Sequence, residues 1–286
     1  MRKARRGYSQ SPPKASLAPD GHELDAVLAA SIIVLRDGPF GLETLLLERP
    51  QTAVFAPGAL VFPGGKVNPD DGALAAFHAR GVSLTNWQQQ LKTQTPVETR
   101  ALLFAAVRET FEETGVLLAC DHTGTPMAQE RTQNGPLAQL RHITDATAAA
   151  QWTEVLAHER LLIDVDCLTL VSWWVTPHGY PRRFDTRFFA VRLPAGSTVI
   201  PASGEIVSTL WLAPQTALEQ AQSGRRHIIY PTRKNLAQIA PYITTNTALA
   251  ALKQTAPNIR RLCPQLIEVD GITKVMHPDG GEPEDE

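Results

Sequence analysis

The stretch RETFEETG at positions 108–115 decides the fold of this 286-residue chain. On a helix, Glu109, Glu112 and Glu113 stand at i, i+3 and i+4, so their carboxylates share one face. Three carboxylates within one turn repel one another, and Arg108 alone cannot neutralise them. A divalent cation with oxygen ligands can do so. The pattern therefore favours a metal site, and the alternative is an acidic face exposed to solvent.

The sequence also indicates where this acidic helix begins and ends. Thr95 suits the N-cap, Pro96 the first helical position and Glu98 the third, as in a capping box. Gly115 suits a left-handed residue that ends the helix, which is therefore predicted over 96–114. Apolar residues repeat along one face at i, i+4 and i+8, and this face is predicted to be buried: Leu103, Val107 and Phe111.

Strands flank the acidic helix on both sides in the sequence. Apolar runs bounded by Gly and Pro predict strands, and periodic polar–apolar stretches predict helices. The predicted strands are 29–36, 42–48, 168–176, 183–193 and 206–212, with a short strand at 61–62. The further predicted helices are 137–162, 215–222, 231–239 and 245–255. This order predicts one α/β domain with a helical C-terminal extension.

Composition bounds the organisation of the chain and its partners. Net charge is −2, and no run of 18 apolar residues occurs, so neither a nucleic-acid partner nor a membrane span is expected. Three widely spaced cysteines suggest reduced thiols and a cytoplasmic location. Whether the chain forms a homodimer is left open by the composition. The expected segments are a disordered basic arm at 1–22, one domain at 23–276 and a disordered acidic tail at 277–286. Within the domain, an insertion is expected at about 72–95 and C-terminal helices at about 214–256.

Together, Gly65 and the stretch at 108–116 resemble the Nudix box, Gly-x5-Glu-x7-Arg-Glu-u-x-Glu-Glu-x-Gly-u, where u is apolar. Thr110 departs from the apolar position. Arg108 follows Gly65 by 43 positions rather than 14, so 29 residues are inserted. The first acid of the box would fall on Asp71, and whether it or no residue takes that place stays open.

Split boxes of this pattern resemble the nucleoside diphosphate-linked moiety X motif 19 subgroup of Nudix hydrolases. Further matching stretches are FAPGALVFPGG at 55–65, WVTP at 174–177 and RRFDTRFF at 182–189. The resemblance covers roughly 27–240. It implies a Nudix fold, a mixed β-sheet sandwiched between helices with an insertion inside the box. It also implies hydrolysis of CoA or acyl-CoA to 3′,5′-ADP and a phosphopantetheine product.

The resemblance also implies roles for the acids. Glu109, Glu112 and Glu113 would bind Mg²⁺ or Mn²⁺, which would bridge the diphosphate oxygens and activate water. Arg108 would orient Glu112. Glu205 is the candidate general base or further ligand, and the alternative for it is an ordinary surface glutamate.

Substrate contacts are predicted at the glycine turn and on one strand. Gly64 and Gly65 would let the chain turn tightly, and their amides could approach a phosphate. Arg183 and Arg187 lie on one face of a strand and could bind a CoA phosphate. The alternative for these arginines is an Arg–Asp pair on an exposed sheet face. Competing functions are hydrolysis of ADP-ribose, NADH, a nucleotide sugar or a dinucleoside polyphosphate, and a Nudix-fold sensor that binds nucleotide without cleaving it.

Overall fold

A computed structural model describes residues 25–74, 77–78, 83–143 and 148–285. The predicted basic arm at 1–22 lies outside the described residues. The strands are β1 (Val27–Gly38), β2 (Gly41–Glu48), β3 (Ala59–Val61), β4 (Gly64–Lys66), β5 (Phe77–His78), β6 (Ala119–Cys120), β7 (Leu162–Asp164), β8 (Thr169–Val175), β9 (Phe184–Arg192), β10 (Ser208–Leu212), β11 (His227–Ile228), β12 (Arg261–Leu262), β13 (Gln265–Val269) and β14 (Ile272–Met276). The helices are α1 (Leu84–Leu91), α2 (Pro96–Thr114), α3 (Gly135–Gln139), α4 (Ala148–Glu159), α5 (Pro214–Gln222), α6 (Tyr230–Ile239) and α7 (Thr245–Thr255).

The main sheet is mixed and is built around β1. Its strand order is β11-β3-β2-β1-β9-β8-β12, with β10 also paired to β2 and β4 also paired to β1. Strand β1 runs antiparallel to β2 and parallel to β9. The first half of β1 pairs with β4 and the second half with β2. The sheet therefore splits beside β1, and this split brings the glycine turn next to the centre of the sheet.

Helices cover both faces of the sheet, as predicted. Because successive side chains of a strand point to opposite faces, the apolar run in β1 divides between two cores. Ile32 and Val34 pack with α2 and α4 on one side, whereas Ile33 and Leu35 pack with α6 and α7 on the other. A strand buried on both faces accounts for the unbroken apolar stretch in the sequence. None of the helices in the described part of the chain is long and apolar enough to cross a membrane.

The predicted bounds of the acidic helix α2 are confirmed. The Thr95 hydroxyl accepts a hydrogen bond from the Glu98 amide at 3.1 Å, and Pro96 occupies the first helical position. At the other end, Gly115 has φ 76° and its amide donates to the Phe111 carbonyl at 2.8 Å. The capping box is only half formed, since the Glu98 carboxylate accepts from the Gln94 amide instead of the Thr95 amide.

The apolar face of α2 is held by an aromatic contact with α4. The Trp152 ring packs edge-on against Phe104 and Phe111, with ring centroids 5.2 and 5.7 Å apart. All three side chains are fully buried. Edge-to-face aromatic pairs add to the apolar area that they bury, so α2 has a defined rotation about its axis. That rotation presents the acidic face to the glycine turn.

The region at 137–162, predicted as one helix, contains two helices and the start of a strand. Helix α3 ends at Gln139, α4 begins at Ala148, and Leu162 opens β7. Between the helices a 3-10 turn covers Leu140–His142, and residues 144–147 lie outside the described part. Leu140 in this turn is buried in the core, and the Arg141 guanidinium donates to the Phe111 carbonyl at the end of α2.

The C-terminal extension contains the three predicted helices and also strands that were not predicted. The turn between β13 and β14 is Asp270-Gly271, with φ of 53° and 77°. Asp-Gly between strands is a strong hairpin signal because both positions require positive φ. The tail from 277, which was expected to be disordered, contacts the rest of the domain in the structure. Glu284 forms a backbone bridge with Val275 and an ion pair with Lys234.

Candidate active site

Arg108 is the centre of a buried ion-pair network on the acidic face of α2. Its Nε and Nη2 atoms donate to both carboxylate oxygens of Asp71, at 3.1 and 3.0 Å, and Nη2 also donates to the Lys66 carbonyl at 3.0 Å. Arg108 is 2% exposed and Asp71 1%. Such two-pronged pairing gives the guanidinium a fixed orientation. Asp71 thus stands where the first acid of a Nudix box would fall when the positions are counted from Gly65.

The remaining Arg108 nitrogen faces the other acids of the helix. Nη1 donates to Glu109 at 2.9 Å and to Glu112 at 3.1 Å, the second being the expected i, i+4 pair. One guanidinium therefore contacts three carboxylates. The excess negative charge is held in a part-buried place, where it is more costly than in water.

Glu113 belongs to the same face but has a different partner. Its Oε2 atom accepts a hydrogen bond from the Gly64 amide at 2.9 Å. Gly64 has φ 153°, and a Cβ there would lie 2.4 Å from the Ala30 carbonyl, so only glycine fits. The Gly64 amide was predicted to approach a phosphate. In the structure it instead donates its hydrogen bond to Glu113.

Gly65 lies directly under Glu109. A Cβ at Gly65 would come within 2.5 Å of the Glu109 carboxyl carbon. Gly65 pairs with Ala30 in the β1–β4 ladder, so the backbone at this position is fixed by the sheet. The two glycines thus bring a strand against the acids of α2.

Burial controls the titration of the acidic face. Desolvation raises the pKa of Glu112 to about 7, with Arg108 opposing and Glu109 adding to the rise. Desolvation likewise raises the pKa of Glu109, and it raises that of Glu113 well above its ordinary value. Burial alone would lower the pKa of Arg108, but its acidic neighbours outweigh burial and raise it.

Glu205 lies in a loop that is tied to the end of α2. The Ile200 amide donates to the Thr114 carbonyl at 2.8 Å, and the Ala202 amide donates to the Glu113 carbonyl at 3.0 Å. The negative charge of Glu205 contributes to the raised pKa of both Glu109 and Glu113. The structure therefore brings Glu205, predicted from the sequence, into electrostatic range of the acidic face. Its role as a base stays a prediction.

Arg183 and Arg187, predicted to bind a CoA phosphate, are both buried and bonded within the chain. Arg187 forms an ion pair with Asp185, donates to the Leu91 carbonyl at 3.2 Å and stacks on the Trp173 ring at 3.8 Å. Arg183 donates to the Thr176 carbonyl at 3.1 Å. The ion pair matches the alternative given for these arginines, an Arg–Asp pair on the sheet. The sheet face on which it lies is buried, not exposed as that alternative expected. Binding of a CoA phosphate by Arg183 or Arg187 stays a prediction, and in the structure both guanidinium groups are bonded within the chain.

Two other arginines near the acids were not singled out from the sequence. Arg49 donates to the Phe55 carbonyl at 3.0 Å, and its charge lowers the pKa of Glu113. Arg141 bonds to the last turn of α2. No local pattern marks either residue, because each reaches the site from a separate element through the fold.

The donor set suits a divalent cation by its chemistry. In residues 25–74, 77–78, 83–143 and 148–285, no three His, Cys, Asp or Glu side chains already converge as a metal cluster. The acids instead bond to Arg108 and Gly64. Carboxylate oxygens are the ligands that Mg²⁺ and Mn²⁺ prefer, and the raised pKa values mean that the acids lack compensating positive charge. Glu109, Glu112 and Glu113 are the residues that could hold the ion.

The raised pKa values predict how stability changes with pH when a chelator is present. An acid whose pKa is raised on folding binds protons more tightly in the folded state, so stability falls as pH rises through the window between the two values. For Glu112 this window runs from 4.5 to about 7. The expected loss is roughly 2–3 kcal/mol in the free energy of unfolding. Urea unfolding between pH 5 and 8 with EDTA measures it.

The matched control for this pH experiment is Glu112→Gln, which removes the titrating group. The variant should lose less stability across the same window than the wild type. Added Mn²⁺ should raise Tm more at pH 7.5 than at pH 5.5, because protons compete with the cation at the lower pH. A wild type that gains stability relative to Glu112→Gln as pH rises would contradict the assigned burial of the acid.

Comparisons with known proteins agree with this geometry. The NUDT19 Nudix domain family model matches residues 74–239, more than half of the chain. The acyl-coenzyme A diphosphatase NUDT19 of Homo sapiens is 28% identical and that of Xenopus laevis 27%; the matches cover 84% and 85% of this chain and 72% of each relative. The crystal structure of a NUDIX hydrolase from Alicyclobacillus acidocaldarius is 29% identical with a TM-score of 0.66, over 80% of this chain and 97% of that one.

A mixed sheet between helices, with an Arg-Glu and a Glu-Glu pair on a helix facing a Gly-Gly strand, defines a Nudix hydrolase, an enzyme that acts on pyrophosphate bonds. Enzymes of this class generally use divalent metal ions. The chain belongs to the NUDT19 Nudix domain family. The family match begins at residue 74, so it includes the acidic helix, whereas Gly64, Gly65 and Asp71 precede it.

Proposed function

We propose that this Nudix hydrolase cleaves the diphosphate of CoA or acyl-CoA, giving 3′,5′-ADP and phosphopantetheine or its acyl form. The observation that carries the chemistry is the buried acidic face of α2, where Arg108 pairs with Glu109, Glu112 and Asp71 and the adjacent Glu113 accepts its hydrogen bond from a backbone amide. The substrate class is supported by the similarity to proteins named acyl-coenzyme A diphosphatase, which extends over most of this chain.

In the proposed mechanism, the acids of α2 hold a divalent ion, Mg²⁺ or Mn²⁺, through Glu109, Glu112 and Glu113. When bound, the ion supplies positive charge beside the diphosphate oxygens and makes water a better nucleophile. Asp71 and Arg108 are positioning residues, because their two-pronged pair orients Glu109 and Glu112 without needing to touch the substrate.

The reaction needs one proton acceptor for the attacking water. Glu205 takes that proton on a carboxylate oxygen as the water oxygen bonds to one phosphorus. The bridging P–O bond breaks, and the bridging oxygen leaves with the other phosphate. The tie between the Glu205 loop and the carbonyls of Glu113 and Thr114 supports this role, since it keeps the base beside the acids.

Product analysis by mass spectrometry tests the function. Purified protein with Mg²⁺ or Mn²⁺ is incubated with CoA, acetyl-CoA, NADH, ADP-ribose, UDP-glucose and a diadenosine polyphosphate. Metal-dependent release of 3′,5′-ADP from CoA or acetyl-CoA supports the proposal. Cleavage of another diphosphate alone keeps the mechanism and rejects the substrate, whereas ligand binding without any turnover favours a sensor.

A cytoplasmic location and a homodimer are further parts of the proposal. The first is supported by Cys120, Cys167 and Cys263, none of which forms a disulfide. Cell fractionation tests the location. Sedimentation of the purified protein tests the dimer, which a single species at the mass of one chain would reject.

Gly65→Ala tests the contact between the glycine strand and the acidic helix. The new methyl group would lie 2.5 Å from the Glu109 carboxyl, so Glu109 must turn away from its place. Displacement of a ligand by about 1 Å costs roughly 10²-fold in kcat, and the apparent Mn²⁺ affinity should fall as well. Steady-state kinetics over a Mn²⁺ titration measure both effects.

The matched control for Gly65→Ala is Gly38→Ala in the β1–β2 turn region. There the added methyl group would lie 2.3 Å from the Glu43 carboxyl, which is a similar clash far from the acids of α2. The control should keep wild-type kcat. Equal activity of Gly65→Ala and the control would show that Glu109 need not stay against the strand.

A further inference from the structure

The last turn of α2 has all of its carbonyl groups occupied by residues from distant parts of the chain. The final carbonyls of a helix lack partners in a following turn, although in α2 the Phe111 carbonyl also accepts from the Gly115 amide. Here Arg141 Nε donates to the Phe111 carbonyl and Arg141 Nη2 to the Glu112 carbonyl, both at 3.1 Å. The Ala202 amide donates to the Glu113 carbonyl at 3.0 Å and the Ile200 amide to the Thr114 carbonyl at 2.8 Å.

Arg141 joins this helix end to the loop that carries Glu205. Its Nη2 atom also donates to the Ile200 carbonyl at 2.7 Å, so one guanidinium bonds to both segments. At the other end of the loop, the Val207 amide donates to the Glu48 carbonyl at 2.8 Å. Glu205 is exposed and lies between these two anchors. Arg141 adds its side-chain bond with Ile200 to the two backbone bonds that Ile200 and Ala202 make with α2, whereas the anchor at Val207 does not involve Arg141.

The chain makes room for this guanidinium at Gly115. A Cβ at Gly115 would lie 3.3 Å from an Arg141 nitrogen, closer than ordinary van der Waals contact. Gly115 therefore ends the helix and also lets Arg141 reach the carbonyls behind it. A positive charge at a helix C-terminus is favourable, because the helix dipole is negative there. Lysine has one ammonium group and cannot make the three separated bonds that the planar fork makes.

We propose that Arg141 is a positioning residue for hydrolysis, which holds the Glu205 loop at a fixed distance from the acidic face of α2. The proposal rests on the proposed function, in which Glu205 accepts the proton of the attacking water. Arg141 itself does not touch the substrate. Without it, Glu205 would move relative to Glu109, Glu112 and Glu113, while the acids would keep their own partners.

The test is a double-mutant cycle of Arg141→Gln with Glu205→Gln, assayed on the diphosphate that the wild type cleaves. Arg141→Gln alone should lower kcat roughly 10- to 100-fold, with KM changed less than about threefold. In the Glu205→Gln background, the same change should have little further effect, because the residue that it positions is already gone. The kcat of Arg141→Lys should lie between that of the wild type and that of Arg141→Gln.

Hydrogen exchange supplies a readout that does not depend on turnover. Amides in the peptide 198–207 should exchange faster in Arg141→Gln than in the wild type, while those of residues 100–110 should not change. The matched control is Arg131→Gln, which removes an arginine from the same region whose partner is Glu159 instead of α2. The control should leave both kcat and the exchange of 198–207 unchanged.

The outcomes separate this proposal from the proposed function. An active wild type with kcat unaltered by Arg141→Gln overturns the positioning role alone. The same role is overturned if the loss in kcat is as large in the Glu205→Gln background as in the wild type, because Arg141 would then act through α2 only. A wild type that cleaves none of the diphosphates rejects the proposed function. Because the role of Arg141 rests on that function, the same result rejects it as well.

Discussion

Glu113→Gln is expected to lower kcat by about 10³-fold or more while the protein stays folded. A ligand to the catalytic ion contributes several kcal/mol to the stabilisation of the transition state, and each tenfold loss in rate corresponds to about 1.4 kcal/mol. The amide oxygen of glutamine can still accept the hydrogen bond from Gly64, so the turn keeps its shape. Only the charge is removed.

The stability of Glu113→Gln should equal or exceed that of the wild type when a chelator is present. Glu113 is 5% exposed, and burial raises its pKa well above the ordinary value, so its ionised form is held at a cost. Glu154→Gln is the matched control, because Glu154 is an exposed acid of α4. The assignment fails if both variants keep wild-type kcat under saturating Mn²⁺.

The second large effect is expected for Arg108→Met, which should lower the free energy of unfolding by about 3–5 kcal/mol. The substitution keeps most of the side-chain volume but leaves Asp71 buried with no cation. Glu109 and Glu112 lose the same partner. For a domain of this size the loss corresponds to roughly 6–20 °C in Tm. Urea unfolding followed by circular dichroism measures it.

Two further variants isolate the cause of the Arg108→Met effect. Arg131→Gln breaks an ion pair with Glu159 near the surface and should cost no more than about 1 kcal/mol. Asp71→Leu combined with Arg108→Met should recover part of the stability, because both buried charges are then absent. A double variant less stable than Arg108→Met by the full cost of Asp71→Leu alone would mean that the two residues do not interact.

The acidic helix could be predicted in detail because its signals are local. The caps at Thr95 and Gly115 and the spacing of the glutamates depend only on neighbours within a few positions, and the helix has the predicted bounds. The longer strands of the main sheet, β1, β2, β8, β9 and β10, followed from apolar runs for the same reason, whereas the short strands β4, β11 and β12 were not predicted. The hairpin at 265–276 was also marked locally, by Asp270-Gly271, and was missed although the signal was there.

The candidate site was predicted less completely than the helix. Counting from Gly65 predicts Asp71 as the first acid, but the insertion makes that count ambiguous, and the supporting pair with Arg108 joins residues that are 37 positions apart. Arg183 and Arg187 have the chemistry of phosphate ligands, yet burial gives them partners inside the protein. Residue type alone does not tell whether an arginine faces a substrate or the core.

By itself, the sequence determined that Glu109, Glu112 and Glu113 stand on one helix face, because helical periodicity is a property of the local backbone. The tertiary structure decided what those acids meet. Arg108 pairs with Asp71 across 37 positions, Glu113 with Gly64 across 49, and Arg141 with Ile200 across 59. Such contacts, and the burial that raises the pKa values of the acids, arise only when the sheet splits beside β1 and packs against α2.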